Sequence, residues 1–338
     1  MKTSNAACNY ISERAWELKT FNQFRLHHLV YYDVRQQFGL SAQIAVLCIA
    51  KVANAYKLDK SIKHVFKPTG AISYDNRVLS WRPSDSTISI WTVDGRKRIP
   101  FVCGERQKEL LKTRQGESDL VFIRGMFFLF ATCNVEEAEP IDVKGVLGVD
   151  LGVVNIAVDS DGQVHSASQV NNMRYRHRRL RSKLQSKGTK AAKRRLKKLS
   201  GKENRFAKDV NHCISKQIVI KAKDTERAIA LEDLKGISDR ITVRRQQRVI
   251  LKSWSFAQLR TFIEYKAAIK GVLIIPVNPR NTSRTCPCCG CIDKRNRPNQ
   301  STFLCVSCGF SGLADHIAAG VIASRAAINL SYVSDSVV

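Results

Sequence analysis

Near its C-terminus the chain reads Cys286-Pro287-Cys288-Cys289-Gly290 and then, with fifteen residues between Cys289 and Cys305, Cys305-Val306-Ser307-Cys308-Gly309. Two C-x2-C knuckles at this separation have the spacing of a four-thiolate zinc ribbon. Nothing else in the sequence restricts folding as strongly, because one ion would pin two distant segments together and carry local folding energy. The register has one ambiguity, since Cys288 and Cys291 are also two residues apart. A Gly follows both Cys289 and Cys308, where the backbone must turn sharply, and this favours Cys286, Cys289, Cys305 and Cys308 as the Zn²⁺ ligands. A closed four-thiolate site leaves no position for a substrate, so such a metal is structural and any chemistry lies elsewhere.

Length and charge bound the rest. At 338 residues the chain has room for roughly two domains of about 150 residues. Fifty-six Lys and Arg against 29 Asp and Glu give a net charge of +27. That excess points to a polyanionic partner, nucleic acid before any other. A membrane partner is disfavoured, because the sequence holds no apolar run of about eighteen residues and no basic amphipathic anchor. The N-terminus lacks the apolar core of a signal peptide. Six of the eleven cysteines crowd the ribbon; Cys8, Cys48, Cys103, Cys133 and Cys213 are scattered among apolar residues. They read as reduced core thiols of a cytoplasmic protein.

Along the chain, residues 8–57 read as helical, with Leu26, Leu29, Val30, Val34 and Phe38 at helical spacing and a break at Gly39. Residues 62–140 change to short alternating runs, including Ile88 to Val93 before Asp94-Gly95, which signals a hairpin in a small β-barrel-like module. Glu136 to Pro140 reads as a linker. Val146 to Val149 and Val153 to Val158 then flank Asp150-Leu151-Gly152. Between Arg174 and Lys208 stand sixteen Lys and Arg with Glu203 as the only acid. Leu180, Leu184, Leu196 and Leu199 mark that segment as a helical hairpin, broken at Gly188 and Gly201, rather than a disordered charge block. Arg174, Arg178, Arg179, Arg181, Arg194, Arg195, Lys197 and Lys198 are its candidate nucleic-acid contacts. A helix to Ala222, a strand Ala228–Leu231, a helix from about Ser253 to Ile269, a strand Val272–Val277, the ribbon and an Ala-rich helix from Ala314 complete the chain.

Three acids stand at element ends. Asp150 closes an apolar strand, Glu232 ends another, and Asp315 opens the last helix. Read singly, each has a plainer role: a turn residue, a surface acid beside Asp233, an N-cap. Read together, three carboxylates from separate elements could form a cluster held by Mg²⁺, which favours a few carboxylates plus phosphate oxygens, and the residues alone leave both readings open. Two such ions about 3.5–4 Å apart would support in-line phosphodiester displacement.

The order of these parts resembles one family. The resemblance is carried by Ala7 to Ser12, Leu26 to Arg35, Gly148-Val149-Asp150-Leu151-Gly152, Leu231-Glu232-Asp233-Leu234-Lys235-Gly236, Thr282 to Pro287, and Cys305 to Phe310 leading to Ala314-Asp315-His316. This pattern is similar to TnpB, the transposon-encoded RNA-guided nuclease, and more distantly to the compact type V CRISPR effectors.

The resemblance implies an α+β and α/β multidomain chain. Its parts would be a helical recognition part (1–60), a β-barrel wedge (61–140), and a RuvC-like nuclease domain of RNase H fold (144–281) with a basic helical insertion (174–222). A zinc ribbon (282–312) and a final RuvC segment with the C-terminal tail (313–338) would follow. It implies Asp150, Glu232 and Asp315 as catalytic metal-binding acids, a guide RNA from the transposon end, and double-stranded target DNA with a short flanking motif. Arg284, just before the first zinc ligand, is placed to neutralise phosphate or to serve the ribbon. Two features depart from the family pattern. The chain starts later than the family's first strand, and Ile317 stands two residues after the third acid, where Asn is common. An RNA-guided DNA endonuclease is the leading expectation; a guided repressor and a DNA-joining transposase are the alternatives.

Overall fold

The structure is a computed structural model and describes residues 1–234 and 256–334. The chain divides into two units, Met1–Val135 and Glu136–Val338. The N-terminal unit opens with α1 (Lys2–Glu17), α2 (Gln23–Phe38) and α3 (Ala42–Leu58). Leu26, Val30 and Val34 on α2 and Ala45, Ile49, Val52 and Tyr56 on α3 are buried, which is the inward stripe of amphipathic helices. The break at Gly39 is present. A second one, not read from the sequence, separates α1 from α2, and there the Asn22 side chain caps α2 by accepting from the N–H groups of Phe24 and Arg25.

The strand part of this unit comprises β1 (Ile72–Tyr74), β2 (Leu79–Arg82), β3 (Thr87–Thr92), β4 (Gly95–Pro100), α4 (Glu105–Leu110), β5 (Arg114–Ile123) and β6 (Met126–Cys133). The Asp94-Gly95 turn closes the β3–β4 hairpin as expected. The strands form two three-stranded sheets, β1-β5-β6 and β2-β3-β4. Among the described residues no ladder joins them into the closed barrel expected from the sequence. Ile72, Tyr74, Leu79, Ile88 and Ile90 share one core with the three helices, so packing is continuous across residue 60.

The C-terminal unit is built on a five-stranded sheet of order β11-β10-β7-β8-β9. Its strands are β7 (Gly145–Asp150), β8 (Asn155–Asp159), β9 (Val164–Ser166), β10 (Arg227–Glu232) and β11 (Ile274–Val277). Strands β7, β10 and β11 run parallel, while β8 and β9 form an antiparallel meander with β7. A parallel neighbour requires a long crossover. Here α5 (Ser168–Lys187), α6 (Lys190–Leu199) and α7 (Lys202–Asp224) lie between β9 and β10, and α8 (Phe256–Lys270) precedes β11. The helical breaks fall at Gly188 and Gly201 as the sequence predicts. The start expected for α8, Ser253 to Ser255, lies outside the described residues, as do Lys235 and Gly236.

Period-two alternation gives this sheet two unlike faces. Leu147, Val149, Ile229 and Leu231 turn to α7 and α8, where Ile218, Val219, Leu259 and Ile263 complete the core. On the other face Ala228, Ala230, Ile275 and Val277 meet Ile322 and Ala326 of α9 (Ala314–Ser334). Gly148 belongs to that small-residue face. A Cβ there would stand 2.1 Å from the Ala319 carbonyl oxygen and 2.6 Å from the Ala323 nitrogen, so α9 crosses directly over the β7 backbone. This close crossing brings the start of α9 to the ends of β7 and β10.

Of the five scattered thiols, Cys8 and Cys48 are buried as expected of core residues. Cys103 and Cys133 are only half-buried and Cys213 is exposed, so the core reading fails for these three. Cys213 lies on the outer side of α7, whose inward positions are Ile214, Ile218, Val219 and Ala222. No helix among the described residues is long and apolar enough to cross a membrane.

Candidate active site and metal centre

The alternation that faces Gly148 toward α9 also faces Asp150 there, two residues on, and the same holds for Ala230 and Glu232. Val149 pairs with Leu231 in parallel register, so Asp150 and Glu232 are the next neighbours along two adjacent strands. Such strands lie about 4.8 Å apart. Asp315 occupies the first turn of α9, where a carboxylate is also favoured by the helix dipole. The three acids foreseen in the sequence therefore meet at one corner of the sheet.

Two of the three carboxylates have specific side-chain partners. The Thr282 hydroxyl donates to Oε1 of Glu232. Arg297, from the ribbon, donates to Oδ1 of Asp315 at 3.1 Å, and Nδ2 of Asn155 donates to its Oδ2 at 3.0 Å. Arg325 of α9 acts on Glu232 through its charge and ties down the loop before the ribbon, donating to the Asn278 and Arg280 carbonyls. Among the described residues no cation is in contact with Asp150 in this way. Burial first, then the charges of Glu232 and Asp315, push its carboxyl up to about 7, against the opposing pull of Arg297. Burial likewise raises Glu232, opposed by the Thr282 hydrogen bond and by Arg325. Three carboxylates are the donor type a hard divalent cation takes, although their oxygens do not all come within 4.8 Å of one another as the ribbon thiols do.

Of these partners, Thr282 lies in the segment Thr282 to Pro287, whose expected site cation is Arg284. The Arg284 side chain is exposed, and its carbonyl accepts from Asn296 inside the ribbon. Arg297, about ninety residues beyond the basic segment 174–208, is the cation that reaches Asp315. Asn155, Arg297 and Arg325 carry no local signal, because tertiary proximity alone selects them.

The ribbon brings the predicted quartet together. The Sγ atoms of Cys286, Cys289, Cys305 and Cys308 all lie within 4.8 Å of one another, with Cys286–Cys308 at 3.6 Å and Cys289–Cys305 at 3.5 Å. A tetrahedral site with Zn–S bonds of about 2.3 Å has edges of about 3.8 Å, so the thiols fit that ion. The two knuckles match: Gly290 N–H donates to the Cys286 carbonyl and Gly309 N–H to the Cys305 carbonyl, each at 3.0 Å. Cys288 is exposed and Cys291 half-buried, and neither belongs to the quartet. Phe303 on β12 (Thr302–Leu304), which pairs with β13 (Ser311–Leu313), fills the ribbon core. Ile317 packs there with Phe303, Cys286 and Val321, so this residue seats the ribbon on α9.

Among the predicted nucleic-acid contacts, Arg178, Arg179, Arg194, Arg195, Lys197 and Lys198 are exposed on α5 and α6, and none has a carboxylate partner among the described residues. Arg174 differs from the expectation. Its side chain is only 10% exposed and pairs with Glu203 at 3.2 Å, while Arg181 reaches the same carboxylate at 2.5 Å. One acid thus holds two cations and ties α5 to α7.

The chain is similar to known proteins in sequence and in fold. Residues 131–235 match the family described as a probable transposase of the OrfB/IS605 type, and residues 256–322 match the Cas12f1-like TNB domain. TnpB-like protein MJ0751 of Methanocaldococcus jannaschii is 31% identical over 182 residues, covering 50% of this chain and 64% of that protein. The CRISPR-associated endodeoxyribonuclease Cas12f1 of Syntrophomonas palmitatica is 30% identical over 187 residues, covering 50% of this chain and 37% of the relative. The chain thus spans less than two thirds of either relative. A Cas12f1–sgRNA–target DNA complex superposes with a TM-score of 0.60 at 18% identity, over 95% of this chain and 81% of that one. The architecture is therefore a Cas12f-like mixed α/β fold with a four-cysteine cluster. The resemblance to TnpB and its Cas12f relatives, read from the residues, is borne out by these matches.

Proposed function

We propose that this chain is an RNA-guided DNA endonuclease of a transposable element, with a RuvC-like site formed by Asp150, Glu232 and Asp315. The observation that carries the reading is the convergence of these acids at one sheet corner, where burial and then the charges of the other two acids raise the Asp150 carboxyl to about 7. The strand order supports an RNase H fold, with a three-strand meander continued by two parallel strands beside the first. Like its nuclease relatives, the chain would take a guide RNA and a double-stranded DNA target carrying a short flanking motif. The guide then supplies sequence by base pairing while protein cations hold the backbone.

Hydrolysis adds a water oxygen to phosphorus and breaks one P–O ester bond, with the leaving oxygen taking up a proton. Two Mg²⁺ ions, held by Asp150, Glu232 and Asp315, would supply the activated water and stabilise the leaving oxygen. Thr282 orients Glu232, and Arg297 fixes Asp315 while offsetting negative charge. The ribbon's Zn²⁺, on Cys286, Cys289, Cys305 and Cys308, is structural and sets the position from which Arg297 reaches the site. The exposed cations of α5 and α6 contact phosphates. The three intact acids favour cutting over guided repression. Asp150→Ala, Glu232→Ala and Asp315→Ala should each abolish Mg²⁺-dependent DNA cleavage while leaving RNA and DNA binding within a few-fold. An Asp150→Ala protein that cuts at the wild-type rate refutes the assignment.

A further inference from the structure

We infer that Asn155 is a positioning residue for the third acid, fixing the Asp315 carboxylate from the side opposite Arg297. The inference rests on the proposed nuclease site. Its basis is a short unit running from Asp150 to Asn155. Strand β7 ends at Asp150 and β8 begins at Asn155, so the chain reverses within a few residues. Gly152 permits the reversal: a Cβ there would stand 2.8 Å from the Asn155 carbonyl oxygen, and its N–H donates to the Ile156 carbonyl at 3.3 Å. At the same place the β8–β9 register shifts between Asn155 and Ala157. The reversal leaves the Asn155 amide facing a residue 160 positions away, with Nδ2 on Oδ2 of Asp315 at 3.0 Å.

Orientation of the amide is not in question, because a carboxylate only accepts and the NH2 group must face it. Arg297 holds the other oxygen at 3.1 Å. Asp315 is thus clamped at both oxygens, one by a cation and one by a neutral donor. A neutral donor fixes the carboxylate without competing for the charge a divalent cation needs. Ile317 cannot contribute, since its side chain is buried in the ribbon core with Phe303 and Val321. The amide that orients Asp315 therefore comes from the loop of the first acid, and the first and third acids are set in place by one segment.

Partners that orient metal ligands are typically worth about 10- to 100-fold in metal affinity. Asn155→Ala in the full chain should weaken Mn²⁺ binding, read by electron paramagnetic resonance without DNA, by about that factor. The Mg²⁺ concentration for half-maximal cleavage should rise in parallel, while the rate at saturating Mg²⁺ stays within several-fold of wild type. Zinc content and the melting profile should be unchanged, which separates positioning from folding. Should the Ala variant lose zinc or cooperative melting, Asn155→Ser, whose hydroxyl is one atom too short to reach Asp315, replaces it. Asn155→Gln, which keeps the amide, should recover part of the affinity. Mn²⁺ affinity and Mg²⁺ half-saturation within two-fold of wild type overturn the inference. A wild-type chain that binds no Mn²⁺ and cuts no DNA refutes the nuclease reading itself and this inference with it.

Discussion

Replacing Asp150 with Asn should stabilise the Mg²⁺-free protein, and the gain should depend on pH in a way the site dictates. In the folded chain the Asp150 carboxyl lies at about 7, raised by burial and by Glu232 and Asp315, against an ordinary value of 3.8. Between those two values the folded state holds a proton that the unfolded state has released. Stability therefore falls as pH rises through this window and levels off above it. Each unit is worth about 1.4 kcal/mol, so roughly three units give an upper bound of about 4 kcal/mol. Asn has the same shape and no charge to desolvate. The variant should match wild type near the bottom of the window and exceed it by several kcal/mol at its top, while DNA cleavage is lost. Urea unfolding of both proteins across the window, with zinc retained, reads the difference. Added Mg²⁺ should stabilise wild type above the window and leave the variant nearly unmoved. Superimposable stability profiles for the two proteins would refute the argument that the three acids crowd one another.

Gly148→Ala should cost about 1–3 kcal/mol by overpacking β7 against α9. Because Asp315 rides on that helix, a displacement of about 1 Å should also lower cleavage by up to about 100-fold, measured in single-turnover assays. Cys289→Ser should lose the zinc that Cys288→Ser retains, as metal analysis of the two purified proteins will report. Neutralising Arg194, Arg195, Lys197 and Lys198 together should weaken binding to all sequences alike. It should also reduce the slope of log affinity against log salt by up to about one per lost phosphate contact, and an unchanged slope would assign these charges to solubility alone.

Much of the site is legible in the sequence because its acids terminate regular elements. Asp150 and Glu232 close apolar strands, and Asp315 opens a helix, so each is marked by the end of a pattern. The small residues that let α9 approach are also legible in retrospect as an alternation, with Gly148, Ala228 and Ala230 at every second position. What the pattern does not reveal is which helix those residues admit, since that is fixed by the far side of the contact. The basic segment shows the same limit. A count of cations finds the surface, but the direction of each side chain is a matter of tertiary packing. Its one legible clue is the lone acid: a half-buried Glu203 among sixteen cations must be neutralised, and Arg174 and Arg181 do so.

Ile317 shows how one departure in sequence is resolved by the fold. Two residues past an acid on a helix, a side chain points well away from the acid, about 200° around the axis at 3.6 residues per turn. On α9 that direction is into the ribbon, where Ile317 is buried against Phe303 and where a Cβ on Gly312 would meet its Cδ1 at 3.1 Å. An apolar residue at this position strengthens the seat of the ribbon. That seat governs the active site, because Arg297 reaches Asp315 from the ribbon. The zinc cluster and the acid cluster are thus mechanically joined through α9, Ile317 binding the ribbon on one side and Asp315 receiving Arg297 on the other. Loss of zinc should therefore release the guanidinium from the carboxylate before it disturbs the sheet, whose core of Leu147, Ile229 and Leu231 is packed by α7 and α8.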